Sequence, residues 1–205
     1  AGTSGLIQML SGNSDGGKSG NIRFAIGTSS AEAGGHLTIE SGEMSINTGG
    51  SVFMSSGSGS AKSSGEIIVM TKNAGTGGTS GTLSFASGTA SAGTSGLFTF
   101  VTGKADNGKS GNIKLQVGSG TNNQAGRIKI YAGESTQNFA SGGHIKINPG
   151  SSTSSVGSVG GHLKVTSGVG ASSTGGEIRL KVGRGTSTSS GALRVESTNA
   201  GTSGV

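Results

Sequence analysis

The sequence predicts an all-β fold, a single β-solenoid of about thirteen coils with a 15-residue repeat. Three observations carry the prediction. A glycine recurs at a nearly fixed interval, an apolar pair follows each of these glycines at strand spacing, and a second glycine closes most of the resulting short segments.

The recurring glycines are Gly5, Gly20, Gly35, Gly50, Gly65, Gly81, Gly96, Gly111, Gly126, Gly143, Gly161, Gly176 and Gly191. Their spacing is 15 residues, with three intervals of 16, 17 and 18. Self-similarity at a fixed period is the signature of a stacked-repeat architecture. We call these residues anchors.

The second and fourth residues after each anchor are apolar in all thirteen units. The pairs include Ile22/Phe24, Phe98/Phe100, Ile113/Leu115, Ile128/Ile130 and Ile145/Ile147, which the solenoid would use as its structural core. A spacing of two places both side chains on one face of a strand. Seven residues after the anchor, eleven of the thirteen units carry another Gly; Lys72 and Thr198 are the exceptions. Paired glycines around a short apolar segment mark turns that need positive φ or a close backbone approach.

A Ser/Thr/Gly/Ala-rich return segment, such as residues 28–34 or 89–95, completes the unit. One unit cannot cover its own two apolar side chains, and stacking supplies the cover. Strand pairing between successive coils would create inward apolar ladders and, at about 4.8 Å per coil, a rod on the order of 60 Å long. A proline or aspartate in place of Ile130 is then expected to break pairing and core locally. Residues 1–205 form one continuous array on this reading, uncapped at both ends. The six residues that open the chain, Ala1 to Leu6, recur at 92–97, and Ala200 to Val205 open a further unit. An exposed strand edge templates further pairing, so the expectation is a longer chain or an end-to-end fibre of copies.

Composition agrees with a thin repeat. The chain holds 44 Gly, 37 Ser and 21 Thr among 205 residues, and only 29% of its residues are hydrophobic. Such a composition usually means disorder, but charged residues are only 12% and the apolar residues keep register. Collagen is excluded by the single Pro and the absence of a Gly at every third position. With no Cys there is no disulfide framework and no thiolate metal site. No apolar run approaches the roughly 18 residues of a membrane span. The chain does not begin with Met and lacks a signal-peptide pattern, so it reads as a mature protein or an internal fragment.

The net charge of +6 is unevenly placed. The third position after the anchor, between the two apolar residues, is Gln8, Arg23, Thr38, Phe53, Ile68, Ser84 and Thr99 in the first seven units. In the last six it is Lys114, Lys129, Lys146, Lys164, Arg179 and Arg194. Stacked coils would turn these six into a basic ladder suited to an anionic polysaccharide, or into a solvated outer face whose Lys stems cover the sheet. Nucleic acid is the weaker polyanion, since the ladder has no aromatic platforms for bases.

Catalysis and cofactors are not expected. Asp15 and Asp106 are the only aspartates, so the calcium-binding nonapeptide repeat, which needs one in every coil, is absent. The seven Glu, from Glu32 to Glu196, are scattered and form no acid/base pair. His36, His144 and His162 lack a third ligand for a metal. No Gly-x-Ser-x-Gly sits at a strand-to-helix elbow, because no helix is predicted, and no phosphate-binding loop occurs. An ice-binding surface, built on regular Thr-x-Thr ladders, is a further alternative, although Thr is concentrated in the irregular return segments. There is no Asn-x-Ser/Thr sequon, while the return segments could carry O-glycans.

The patterns Ser-Gly-x-Ile-x-Φ-x-x-Gly at residues 110–118 and Gly-Gly-His-Ile/Leu-Lys-Φ at 142–150 and 160–168 resemble the long Ser/Gly-rich repeat proteins of algae and related microbes. The resemblance spans the whole chain. It implies a secreted or cell-surface structural element without enzymatic activity. The expected role is an extracellular filament or surface appendage whose partners are copies of itself, end to end. Adhesion to an anionic polysaccharide is the alternative and ice binding a second one.

Overall fold

A computed structural model of the chain describes residues 4–30, 33–121, 124–153 and 156–198. The repeated terminal stretches at residues 1–3 and 199–205, and Glu32, lie outside them. The chain divides into two units, Ala1–Thr99 and Phe100–Val205.

The described residues contain no helix and no strand. The expected β-solenoid is therefore not formed: the chain is coil, interrupted by bends and turns. None of the described residues is buried. The apolar pairs meant for an inward ladder are 49% exposed at the least, at Ile22 and Leu83, and 91% at the most, at Ile7. Phe24, Phe98, Phe100, Ile113, Leu115, Ile128, Ile130, Ile145 and Ile147 all fall within that range. The chain's accessible surface is 21217 Å².

The ordered feature is the return segment, which in six of the units folds into a loop closed at its base by a backbone hydrogen bond. In the unit Ala1–Thr99 the amide of Gly50 donates to the carbonyl of Gly42 at 2.8 Å, and that of Gly65 to Gly57 at 2.9 Å. In the unit Phe100–Val205 the same bond joins Gly143 to Gly133, Gly161 to Gly150, Gly176 to Gly168 and Gly191 to Gly183, at 2.8–3.1 Å. Each bond runs from an anchor to the glycine that closes the preceding segment.

That register explains the missing solenoid. Stacked coils would place each residue beside the one 15 positions away, whereas the loop bases bring an anchor to the residue eight positions before it in a standard unit. An aromatic stack, Phe85 with Phe98 at 6.4 Å between ring centres, joins residues 13 apart that flank the loop 88–96. It follows the loop's own register and not that of a stack. Energetics point the same way. Burying both apolar side chains of a unit would contribute about 3–6 kcal/mol, enough to offset the ordering of only about three residues at about 1–2 kcal/mol each. Twelve further residues of the unit would have to be fixed by backbone bonds, each worth about 0.5–1.5 kcal/mol net.

The insertions confirm where the repeat is elastic. The intervals of 17 and 18 residues end at Gly143 and Gly161. Their loops span 10 and 11 positions, yet the base bonds measure 2.9 and 2.8 Å, as in the shorter loops. Lengthening a closed loop from 8 to 11 positions costs only about 0.3 kcal/mol in closure entropy. Within the longer loops small turns form, as where Ala140 donates to the Gln137 carbonyl at 3.3 Å.

Candidate functional site

The repeated structural site is the loop base. At every anchor from Gly20 to Gly191 a methyl group in place of the glycine hydrogen would lie 2.7–3.6 Å from the side chain of the residue just before the closing position. That neighbour is Ser11, Ser41, Ser56, Ser87 or Ser167, Thr71 or Thr102, Ala132, Pro149, Ile26, Val117 or Val182. At Gly50, Gly143, Gly161 and Gly176 the methyl would also meet the backbone nitrogen of the closing glycine, at 3.0–3.2 Å. At these four anchors a side chain would press on backbone that must give way, whereas at Gly20, Gly65, Gly81, Gly96 and Gly111 the contact is an ordinary van der Waals one.

Where the neighbour is aliphatic it gains cover from the contact. Val182 and Val117, over Gly191 and Gly126, are the least exposed large apolar residues, at 37% and 40%. Ser41 adds a polar tie, its hydroxyl donating to the Gly50 carbonyl at 3.0 Å. Sequence reasoning identified both glycines but missed the residue between them in importance, the sixth after the anchor. Its signal is the size of that position, Ser, Thr or Ala in most units.

The paired glycines are not equivalent. The anchors from Gly20 to Gly191 have a neighbour within 3.6 Å of an added methyl, whereas the closing glycines have open surroundings and, Gly12 apart, no positive φ. Gly12, at φ 82°, is the closing glycine with a left-handed backbone. The other positive-φ glycines, Gly77, Gly93 and Gly157, stand within return segments. Phe139 joins them with φ 63°, a conformation that a bulky side chain rarely takes. Its ring is fully exposed.

The six cations Lys114, Lys129, Lys146, Lys164, Arg179 and Arg194 are exposed, each on its own segment between loops. Since those segments are not paired into a sheet, the structure does not assemble the cations into a ladder. Arg194 pairs with Glu196, Nε to Oε1 at 3.0 Å, and Lys104 pairs with Asp106. Both pairs are highly exposed, and such pairs contribute little to stability. The other five cations of the series have no ion pair among the described residues.

His36, His144 and His162 are exposed as well, and among the described residues no group of His, Asp and Glu is arranged to hold a metal. Among the described residues no helix is long and apolar enough to cross a membrane. Among the described residues there is no cavity. No family model, curated protein or solved structure matches the chain.

Proposed function

We propose that the chain is a non-catalytic structural repeat that associates with further copies of itself, as an element of an extracellular filament or surface appendage. The observation that carries this reading is the exposure of an apolar pair in all thirteen units, at a repeat preserved through three insertions. Exposed apolar groups on segments whose backbone is not taken up in a ladder favour pairing between chains. The extracellular placement rests on the resemblance of the Ser-Gly-x-Ile and Gly-Gly-His patterns to secreted Ser/Gly-rich repeat proteins.

Sedimentation velocity and negative-stain electron microscopy across a concentration series test the proposal. The chain is expected to pass from single molecules to long assemblies above a critical concentration. Removing one isoleucine from such a contact, as in Ile130→Asp, costs at least about 1.5 kcal/mol, so the critical concentration should rise about tenfold or more. A chain that stays monomeric at every concentration, or a variant that assembles as readily as the parent, refutes it.

A second reading has its own support. Lys114, Lys129, Lys146, Lys164 and Arg179, without ion pairs among the described residues, are available to an anionic polysaccharide. Retention on such a polymer that falls with salt, and that is lost when the five are replaced by Gln, would favour it.

A further inference from the structure

We propose that Asn107 is a site of spontaneous covalent modification, in which the Gly108 amide attacks the Asn107 side chain and converts it to aspartate or isoaspartate. The reaction needs a following residue without a side chain, access for water, and a backbone amide that no hydrogen bond holds in place.

The first condition is met at one place only. Of the eleven asparagines in the chain, Asn107 alone precedes a glycine. Asn21 and Asn112 precede β-branched isoleucines, and Asn148 precedes Pro149, which has no N–H to react. The second condition is met by the exposed bend at residues 106–108. Space around Gly108 is open, with nothing within 4 Å of the position a methyl group would take.

The third condition is set by a single neighbour, visible when two loops are compared. The loops 12–20 and 103–111 share a register, Asp15 corresponding to Asp106 and Gly17 to Gly108. In the first, the Gly17 amide donates to the Ser14 hydroxyl at 3.2 Å. In the second, Ala105 stands where Ser14 stands and has no hydroxyl to offer. Among the described residues the Gly108 amide has no hydrogen-bond partner in backbone or side chain. At the foot of this loop Thr102 still lies against Gly111, its Cγ2 3.5 Å from where a methyl on Gly111 would stand. Lys104 pairs with the Asp106 carboxylate, which offsets the negative charge beside the amide that must lose its proton.

In the first step solvent hydroxide takes the Gly108 amide proton and the nitrogen attacks Cγ of Asn107. A new N–Cγ bond forms, the Cγ–Nδ2 bond breaks, and Nδ2 leaves as ammonia after accepting a proton from water. Water then opens the cyclic imide at either carbonyl. Opening at Cγ leaves an aspartate on a normal backbone, and opening at the main-chain carbonyl routes the backbone through Cγ as isoaspartate. No electrons are exchanged. Either product adds one negative charge to a chain whose net charge is +6, and isoaspartate also inserts a backbone carbon into the loop 103–111.

The test is incubation of the intact chain at neutral and mildly alkaline pH, followed by peptide mapping by mass spectrometry and enzymatic methylation of isoaspartate. Modification should appear at position 107 ahead of every other asparagine and should accelerate with hydroxide. Gly108→Ala should suppress it. Ala105→Ser restores the hydroxyl found in the loop 12–20, and should slow the reaction about two- to tenfold, the population ratio that one net hydrogen bond sets. An intact Asn107 after other asparagines have reacted overturns the proposal, and so does an Ala105→Ser chain that reacts at the parent rate.

Discussion

Replacing Gly143 by alanine puts the loop base under direct test. The new methyl would stand 3.0 Å from the Gly133 nitrogen, 3.3 Å from the Gly133 carbonyl oxygen and 3.3 Å from the Ala132 Cβ. None of these atoms belongs to a side chain that can swing away, so the two arms must give by a few tenths of an ångström, which stretches the 2.9 Å bond from the Gly143 amide to the Gly133 carbonyl and favours its opening. One such bond is worth about 0.5–1.5 kcal/mol net, so the closed form should fall by about two- to tenfold relative to the open one. Gly133→Ala is the matched control, because the space around that residue is empty and its φ is not positive. Amide hydrogen exchange by NMR reads the outcome at residue 143 directly. Loss of protection in Gly143→Ala with protection kept in Gly133→Ala is the expected result. If the amide at position 143 stays protected in Gly143→Ala, glycine is not needed there and the close approach at the base does not control the loop.

Three other outcomes follow from the same geometry. Gly126→Ala and Gly191→Ala should perturb their loops less than Gly143→Ala, because the nearest obstacle is the Cγ1 of Val117 or Val182, which can rotate; chemical shifts of the two valine methyls would show the rotation. Phe139→Gly should strengthen the turn at 137–140 by about 1 kcal/mol, the cost of holding a bulky residue at positive φ, read as slower exchange of the Ala140 amide. Three residues added after Ser172 should leave the amide of Gly176 protected, since the loop 150–161 closes at full length and the added closure entropy is about 0.3 kcal/mol; loss of that protection would show that loop length is constrained.

The 15-residue register is legible in the sequence because a glycine stands at every anchor, and at Gly50, Gly143, Gly161 and Gly176 the close backbone of the closing glycine gives a steric reason for it. It also placed the length changes, since the extra residues before Gly143 and Gly161 fall in the return segments. What it did not reveal is the cover over the apolar pairs. Alternation such as Ile128/Ile130 says that two side chains can share a face, but it is silent on what lies against that face, and a strand in a solenoid leaves the same pattern as a segment awaiting another chain. The ladder of Lys114, Lys129, Lys146, Lys164, Arg179 and Arg194 depended on that same assumption, because positions 15 residues apart become neighbours only if the coils stack. The sixth position was overlooked for a different reason: Ser, Thr and Ala are so frequent in this chain that their recurrence beside the closing glycine does not stand out.

Each loop base is made from one anchor, one closing residue and the side chain just before that closing residue, all from a single stretch of chain. No base borrows atoms from a distant one. Heating should therefore open the loops independently, giving a broad, nearly linear loss of signal instead of a sigmoidal melt, with the same midpoint for a chain of six units as for one of thirteen. A repeat of this kind can be lengthened or shortened by whole units without a threshold below which the remaining units fail to form.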